Sequence, residues 1–160
     1  MTNNPMLEKA LKYASIGWRV FPVTPNEKSP LGSLVPKGYH DATTMVETIT
    51  HWWTQIPDAN IGLSLAASGL VCIDVDSYKP DCAFDEYMRG KDMPETLVQQ
   101  SASGGTHYIF KADENAKYPG KLCKGVDVKH NGYILLFPSV FNDNRYEWSQ
   151  KVRPSPAPEW

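Results

Sequence analysis

The sequence predicts an α+β fold. Its strand-like segments crowd into the chain after residue 60, its helix-like segments lie before and between them, and strand and helix do not alternate regularly. A chain of 160 residues suffices for one domain, or one compact two-lobed unit, with a real hydrophobic core. The apolar share of 41% with scattered charges is ordinary for a globular protein. No apolar run has the length needed to cross a membrane, and Met1 to Lys9 lacks a signal-peptide pattern, so a cytoplasmic protein is expected.

The first expected element is a helix. Asn4 can cap it, Pro5 suits its first position, Gly17 can end it, and Met6, Leu7, Ala10, Leu11 and Ala14 make one apolar stripe. Trp18 to Val23 reads as a strand, followed by a turn-rich stretch to Asp41. Thr44-Met-Val-Glu47 has the pattern of a capping box and predicts a helix to about Gln55. Its neighbouring Trp52 and Trp53 cannot share one helix face, so one is expected in the core and the other as a partial cover.

Asn60 to Leu65 and Gly69 to Asp76 read as adjacent strands, and Pro80 to Arg89 as a helix. Thr96 to Gln100 and Thr106 to Lys111 flank a glycine turn at Ser103-Gly104-Gly105. Tyr118 to Lys124 has the composition of a loop. Val126 to Lys129 and Tyr133 to Phe137 suggest a hairpin about Asn131-Gly132, and Tyr146 to Trp148 a last short strand. Residues 151–160 form a proline-rich end with the composition of a linker.

Three segments carry chemistry. In Gly69-Leu-Val-Cys-Ile-Asp-Val-Asp76, an apolar strand ends in two acids that share one face. Such carboxylates repel and resist desolvation, and a divalent cation with a taste for oxygen ligands relieves both effects. Two solvated acids at an exposed strand end are the plain alternative. In Gln100-Ser-Ala-Ser-Gly-Gly-Thr-His107, two glycines let backbone N–H groups approach an anion, with His107 beside them. A simple hairpin turn with a framework histidine is the other reading. In Val126-Asp-Val-Lys129 an acid and a lysine alternate on one face, so that Asp127 can join Asp74 and Asp76 while Lys129 faces phosphate. A surface ion pair worth under about 1 kcal/mol explains the same pattern.

Cys72, Cys82 and Cys123 are widely spaced, with no C-x-x-C and no histidine pair at zinc-ligand spacing, so no structural zinc is expected. His40, His51 and His130 stand in no constellation. The net charge of −2 speaks against a duplex-coating basic protein without excluding nucleic acid.

Together these segments resemble the bifunctional DNA primase/polymerase (prim-pol) domain of the archaeo-eukaryotic primase superfamily. The resemblance rests on Asp74-Val-Asp76, Gly105-Thr-His107 and Val126-Asp127 in that order. Their flanks add Gly17-Trp-Arg-Val-Phe-Pro22, Lys28-Ser-Pro30, Trp52-Trp53, Asn60-Ile-Gly62, Pro138-Ser139 and Tyr146-Glu-Trp148. Thr106 and Lys129 depart from it, standing where relatives commonly have arginine. The resemblance implies an N-terminal α/β unit packed on an RRM-like catalytic unit with a cleft between them. It makes residues 1–160 a single catalytic domain, the N-terminal part of a larger replication protein.

The implied activity is template-dependent nucleotidyl transfer, with Asp74, Asp76 and Asp127 binding two Mg²⁺ or Mn²⁺ ions. His107 would contact the triphosphate of a dNTP or NTP, helped by Ser101, Ser103, Gly104, Gly105, Lys129 and, more remotely, Lys28. Single-stranded DNA template and primer are the implied partners, with a fused or associated helicase and a phage, plasmid or other mobile element as context. Two rivals remain. One is a nucleotide or single-strand binding module without turnover. The other is a nicking initiator, which the lack of a His-x-His pair disfavours.

Overall fold

Two antiparallel sheets hold most of the strands, and Val140–Phe141 pairs with Asn144–Arg145 in a separate two-stranded ribbon. In the computed structural model, which describes residues 4–160, helix α1 (Pro5–Ser15) is followed by β1 (Val20–Val23), α2 (Val46–Gln55), β2 (Asn60–Ser64) and β3 (Leu70–Val75). A single turn α3 (Phe84–Tyr87) precedes β4 (Leu97–Gln100), β5 (Thr106–Lys111), β6 (Lys121–Cys123), β7 (Val126–Lys129) and β8 (Tyr133–Leu136). The chain closes with β9 (Val140–Phe141), β10 (Asn144–Arg145) and β11 (Glu147–Gln150). The smaller sheet has the order β1-β2-β8, and the larger one β11-β4-β5-β3-β7-β6. This is the mixed α and β architecture expected, with β3 central as its apolar sequence predicts.

Helix α1 begins as read. The Asn4 side chain accepts from the Leu7 N–H at 3.1 Å, a cap worth about 1 kcal/mol, and donates to the Trp53 carbonyl at the far end of α2. Ala10, Tyr13 and Ala14 are buried against the rest of the core. The capping box expected at Thr44 is not used. Thr43 is bonded to Val20 through both backbone groups, its hydroxyl accepts from the Met45 N–H, and α2 starts only afterwards. Both tryptophans are core, because α2 is covered by α1 on one side and by β1 on the other. The Trp53 indole donates to the Ala59 carbonyl at 2.9 Å, which satisfies its buried N–H.

The two strand pairs read as neighbours are not paired with each other. After β2 the chain leaves the smaller sheet through a short turn at Ala66–Ser68 and enters the larger one as β3. After β7 it makes the reverse crossing and enters the smaller sheet as β8. Thus β2 pairs with β8, and β3 with β7, in place of two hairpins. The crossings are bonded to each other: the Leu65 N–H donates to Gly132 at 3.0 Å, and the Ala66 N–H to His130 at 2.9 Å. Every residue of β2 and β3 is buried, and stacking them in separate sheets covers both faces of each.

Three further expectations change. The helix over Pro80–Arg89 shortens to one turn, because the Ala83 N–H is taken by the Lys124 carbonyl. The loop read over Tyr118–Lys124 contains β6, an edge strand whose polar composition hides a pairing made only with β7. The proline-rich end, read as a linker, is docked at Lys111, the last residue of β5. The Lys111 N–H donates to the Ser155 carbonyl, the Ala157 N–H to the Lys111 carbonyl, and the Trp160 indole to Asp92.

The larger sheet has apolar residues on both faces. Cys72, Leu97 and Ile109 join the main core beneath α1, α2 and the smaller sheet. Val71, Ile73, Val75, Phe110 and Val126 form a second core with Phe84 and Trp160. In the smaller sheet, Phe21 lies directly opposite Gly62 with its ring over the glycine. A Cβ at Gly62 would stand 2.5 Å from the Phe21 ring, and that ring is fully buried with nowhere to move. Gly62→Ala is therefore expected to destabilise by roughly 1–3 kcal/mol, the usual cost of overpacking. Urea denaturation checks this, and an unchanged midpoint would show that the ring yields.

Candidate active site

The register of the larger sheet assembles a polar row from residues distant in sequence. Directly opposite residues on antiparallel strands project to the same face. Gln99 on β4 faces His107 on β5, His107 faces Asp74 on β3, Asp74 faces Asp127 on β7, and Asp127 faces Lys121 on β6. Lys129 lies two residues along β7 from Asp127, diagonal to Asp74. This is the same face whose other end supplies Cys72, Leu97 and Ile109 to the core, so the row sits where buried sheet gives way to a cleft.

Asp74 is the hub. His107 Nε2 stands 3.3 Å from one carboxylate oxygen, and the Lys129 ammonium donates to the other at 2.9 Å. Burial alone would raise the Asp74 carboxyl, but His107 and Lys129 outweigh it and hold the group well below the usual carboxylate range. Burial likewise works to lower the Lys129 ammonium, and the charge of Asp74 overcomes it, leaving Lys129 above its ordinary value. Burial pushes the neighbouring Cys72 thiol well up, which keeps it an inert core residue.

A cavity of about 650 Å³ opens over this hub. Asp74, Asp76, His107, Lys129, Ser101, Ser103 and Lys28 all line it, so seven of the residues expected from sequence converge on one space. Asp127 does not line it; its carboxylate is turned toward Lys121, 3.9 Å away. Asp76 is paired with Lys79 at 3.0 Å. The glycine turn is closed on itself: the Gly104 N–H donates to the Ser101 carbonyl and the Gly105 N–H to the Ser101 hydroxyl. Those two N–H groups are therefore engaged, and the Ser101 and Ser103 hydroxyls are the groups this turn presents to the cavity. Gly105 admits no side chain, since a Cβ would lie 2.6 Å from the Val75 carbonyl of β3.

Sequence reasoning missed several lining residues. Tyr39, Tyr118, Tyr133, Tyr146 and His130 all face the cavity. Tyr133 and Tyr39 have rings 5.9 Å apart, and their hydroxyls bond the backbone of Lys28 and Asn131. Tyr146 is almost wholly buried with its ring 6.1 Å from that of His107, and burial raises its phenol above the ordinary value. Gln99 had a legible signal: it is a polar residue at an inward position of an alternating strand, placed opposite His107 by the glycine turn. A larger, more open groove of about 1230 Å³ runs over α1 and the region of Phe137–Val140 and holds none of the expected site residues.

The carboxylates suit a hard cation in chemistry and register. All donors are oxygen, and Asp74 and Asp127 stand directly opposite across β3 and β7, a like-charge pairing that costs stability unless something neutralises it. Lysines do so here, one at each acid. Among the described residues, no three His, Cys, Asp or Glu side chains are yet gathered closely enough to hold one ion.

The sequence profile of the bifunctional DNA primase/polymerase N-terminal family matches residues 10–160. The chain belongs to that family. The family indicates a DNA primase/polymerase, a nucleotidyltransferase that binds nucleotide and DNA. No curated protein matched the sequence. Among the described residues, no helix is long and apolar enough to cross a membrane.

The Asp74–Lys129 pair has a testable pH signature. Lys129→Met removes the charge with little loss of packing and should destabilise the metal-free protein by about 1–2 kcal/mol at pH 7, since Lys129 is partly exposed. Asp74 titrates below its ordinary value near ~4, so the pairing is fully present above that pH and is lost as pH falls through its folded value. Lys129 titrates above its ordinary value near ~10.4, so the pairing is also lost only at high pH. The gap between variant and wild type should shrink as pH falls from about 4 toward 2. Chemical denaturation in chelator checks this; a gap that does not change with pH would dissociate Lys129 from Asp74.

Proposed function

We propose that this chain extends a primer on single-stranded DNA by template-dependent nucleotidyl transfer, with the dNTP or NTP held in the cavity over Asp74. The observation that carries the reading is the convergence of Asp74, Asp76, His107, Lys129, Ser101 and Ser103 on that one space. The larger sheet takes the part of the catalytic unit, and the smaller sheet with α1 and α2 takes that of the N-terminal unit.

Asp74, Asp76 and Asp127 are the residues that would hold Mg²⁺ or Mn²⁺. Bound there, such ions supply acidity to the primer 3′-hydroxyl and neutralise charge on the leaving pyrophosphate. The chain's own groups do the rest. Lys129, released from Asp74, is within reach of phosphate oxygens as a mobile positive charge. The His107 Nε2 and the Ser101 and Ser103 hydroxyls orient those oxygens, and Lys28, resting over the Phe141 ring at 4.3 Å, closes the opposite wall. Positioning and electrostatics, with no covalent intermediate, account for catalysis of this kind.

One observation favours a module that binds without turnover: all three carboxylates are engaged by lysines. Pyrophosphate release separates the two readings. A labelled primer–template is incubated with Mg²⁺ or Mn²⁺ and with dNTPs or NTPs in separate reactions. Metal-dependent ladders are expected from the wild type. Asp74→Ala and Asp76→Ala should lose extension by at least about 10³-fold while keeping the wild-type circular dichroism spectrum. Wild-type-like ladders from either variant would refute the carboxylate assignment.

A further inference from the structure

We propose that Gln99 is a positioning residue that fixes the tautomer of His107, so that the histidine presents an N–H to the cavity and never a bare nitrogen. The role extends the proposed nucleotide site, although its first measurement does not depend on that reading.

Gln99 is fully buried on β4, directly opposite His107. Its side-chain oxygen accepts from the Phe137 N–H at 2.8 Å, and its side-chain nitrogen donates to the Leu135 carbonyl at 2.9 Å. These two backbone groups leave the amide one orientation. Turned over, it would set NH₂ against the Phe137 N–H and oxygen against the Leu135 carbonyl, two clashes of like with like in a buried place. The orientation is therefore a consequence of the backbone of β8 and the residue following it.

The same nitrogen lies 3.1 Å from His107 Nδ1. Having given one hydrogen to Leu135, it offers the other to Nδ1, which has to accept with its lone pair. The ring proton then resides on Nε2. That atom stands 3.3 Å from Asp74, and both residues line the cavity. Asp74 at Nε2 asks for the same tautomer, so an apolar residue at position 99 would leave the ring to Asp74 alone, whereas Gln99 holds it whether or not Asp74 is free to accept. Gln99 thus acts through His107 and touches no substrate.

The consequence is a donor of fixed direction. At rest it holds one oxygen of Asp74 in place while Lys129 holds the other. With a nucleotide present, the same N–H is aimed at whichever anionic oxygen arrives beside Asp74. Because Gln99 bonds β8 of the smaller sheet while facing β5 of the larger one, this aim is tied to the relative placement of the two sheets.

The test begins with metal-free wild-type protein carrying ¹⁵N-labelled histidine. Two-bond ¹H–¹⁵N spectra of the ring are expected to show His107 protonated on Nε2 with Nδ1 as acceptor. His107→Phe identifies the resonance. Asp74→Ala, which leaves Gln99 as the ring's partner, should keep the proton on Nε2, and Asp74→Ala combined with Gln99→Met, close in shape but unable to donate, should show a mixture of tautomers. In primer extension, Gln99→Met should raise the KM for nucleotide by about tenfold with kcat changed less than about threefold, the split expected when orientation of a binding donor is lost. A wild-type ring protonated on Nδ1 overturns the proposal. So does an unchanged tautomer in a folded Asp74→Ala/Gln99→Met protein. Should the double variant not fold, the wild-type spectrum and Asp74→Ala decide, a mixture of tautomers in Asp74→Ala overturning the proposal. Absence of extension by the wild type would count against the proposed activity and leave the tautomer result standing.

Discussion

The exchange of strands between the two sheets is the constraint on which the rest depends. Because β2 pairs with β8 and β3 with β7, the chain crosses from one sheet to the other at two places, and the crossings are hydrogen-bonded to each other. Neither sheet can shift along the other without breaking that junction. His130 adds to it through a 3.0 Å contact between its Nδ1 and the Leu70 carbonyl. The cavity opens just where the sheets part, and its wall includes His130, Asn131 and Gly132 of one crossing. The site is a product of topology before it is a product of side chains.

Electrostatics follows from that placement. A carboxylate at the edge of a buried face needs partners, and Asp74 has two, one fixed and one movable. His107 is set by the strand register and by Gln99, whereas Lys129 reaches in on a flexible stem from a position that remains partly exposed. Asp76 and Asp127 sit farther into solvent and each meets a single exposed lysine. The three acids therefore differ in how firmly they are held. Asp74 is fixed before any ligand arrives, while Asp127, with its side chain 43% exposed, is free to reorient.

Local signals carried much of this into the sequence, and pairing partners did not. Asn4, Pro5 and Gly17 bracket α1 because capping and helix termination are chemistry of a few neighbouring residues. The glycine turn before His107 was legible for the same reason, and its register places Gln99 and Thr106 without further information. The order of Asp74, His107 and Asp127 was legible as a motif, and their neighbouring positions on one face required only that β5 and β7 flank β3. What could not be read was which strand pairs with which across a crossing. Asn131-Gly132 has the composition of a hairpin turn, yet the residues on either side of it belong to different sheets. Composition also misjudged β6 and the proline-rich end, whose order comes from partners far away in sequence. The tyrosines of the cavity wall were silent because a tyrosine at a strand end serves core and cleft equally well.

Rigidity is unevenly distributed around the cavity, and the division has a chemical sense. Asp74, His107 and Lys129 stand on strands β3, β5 and β7 in the middle of the larger sheet, with Gln99 behind His107 and the main core behind Gln99. Lys28, Ser103 and Tyr78 face them from turns and loops, and Tyr39 from the short 3-10 helix Gly38–Asp41. Groups on strands are held by their neighbours' packing, and groups on loops adapt at little cost. The strand-borne wall carries Asp74, His107 and the flexible Lys129, and the loop wall, Lys28 apart, is hydroxyl and aromatic. Tyr39 and Tyr133 connect the two walls, since their hydroxyls bond the backbone of Asn131 and Lys28 while Tyr133 itself begins β8. Tyr133 thus ties the Lys28 loop to the strand whose Leu135 carbonyl, with the N–H of the following Phe137, holds Gln99.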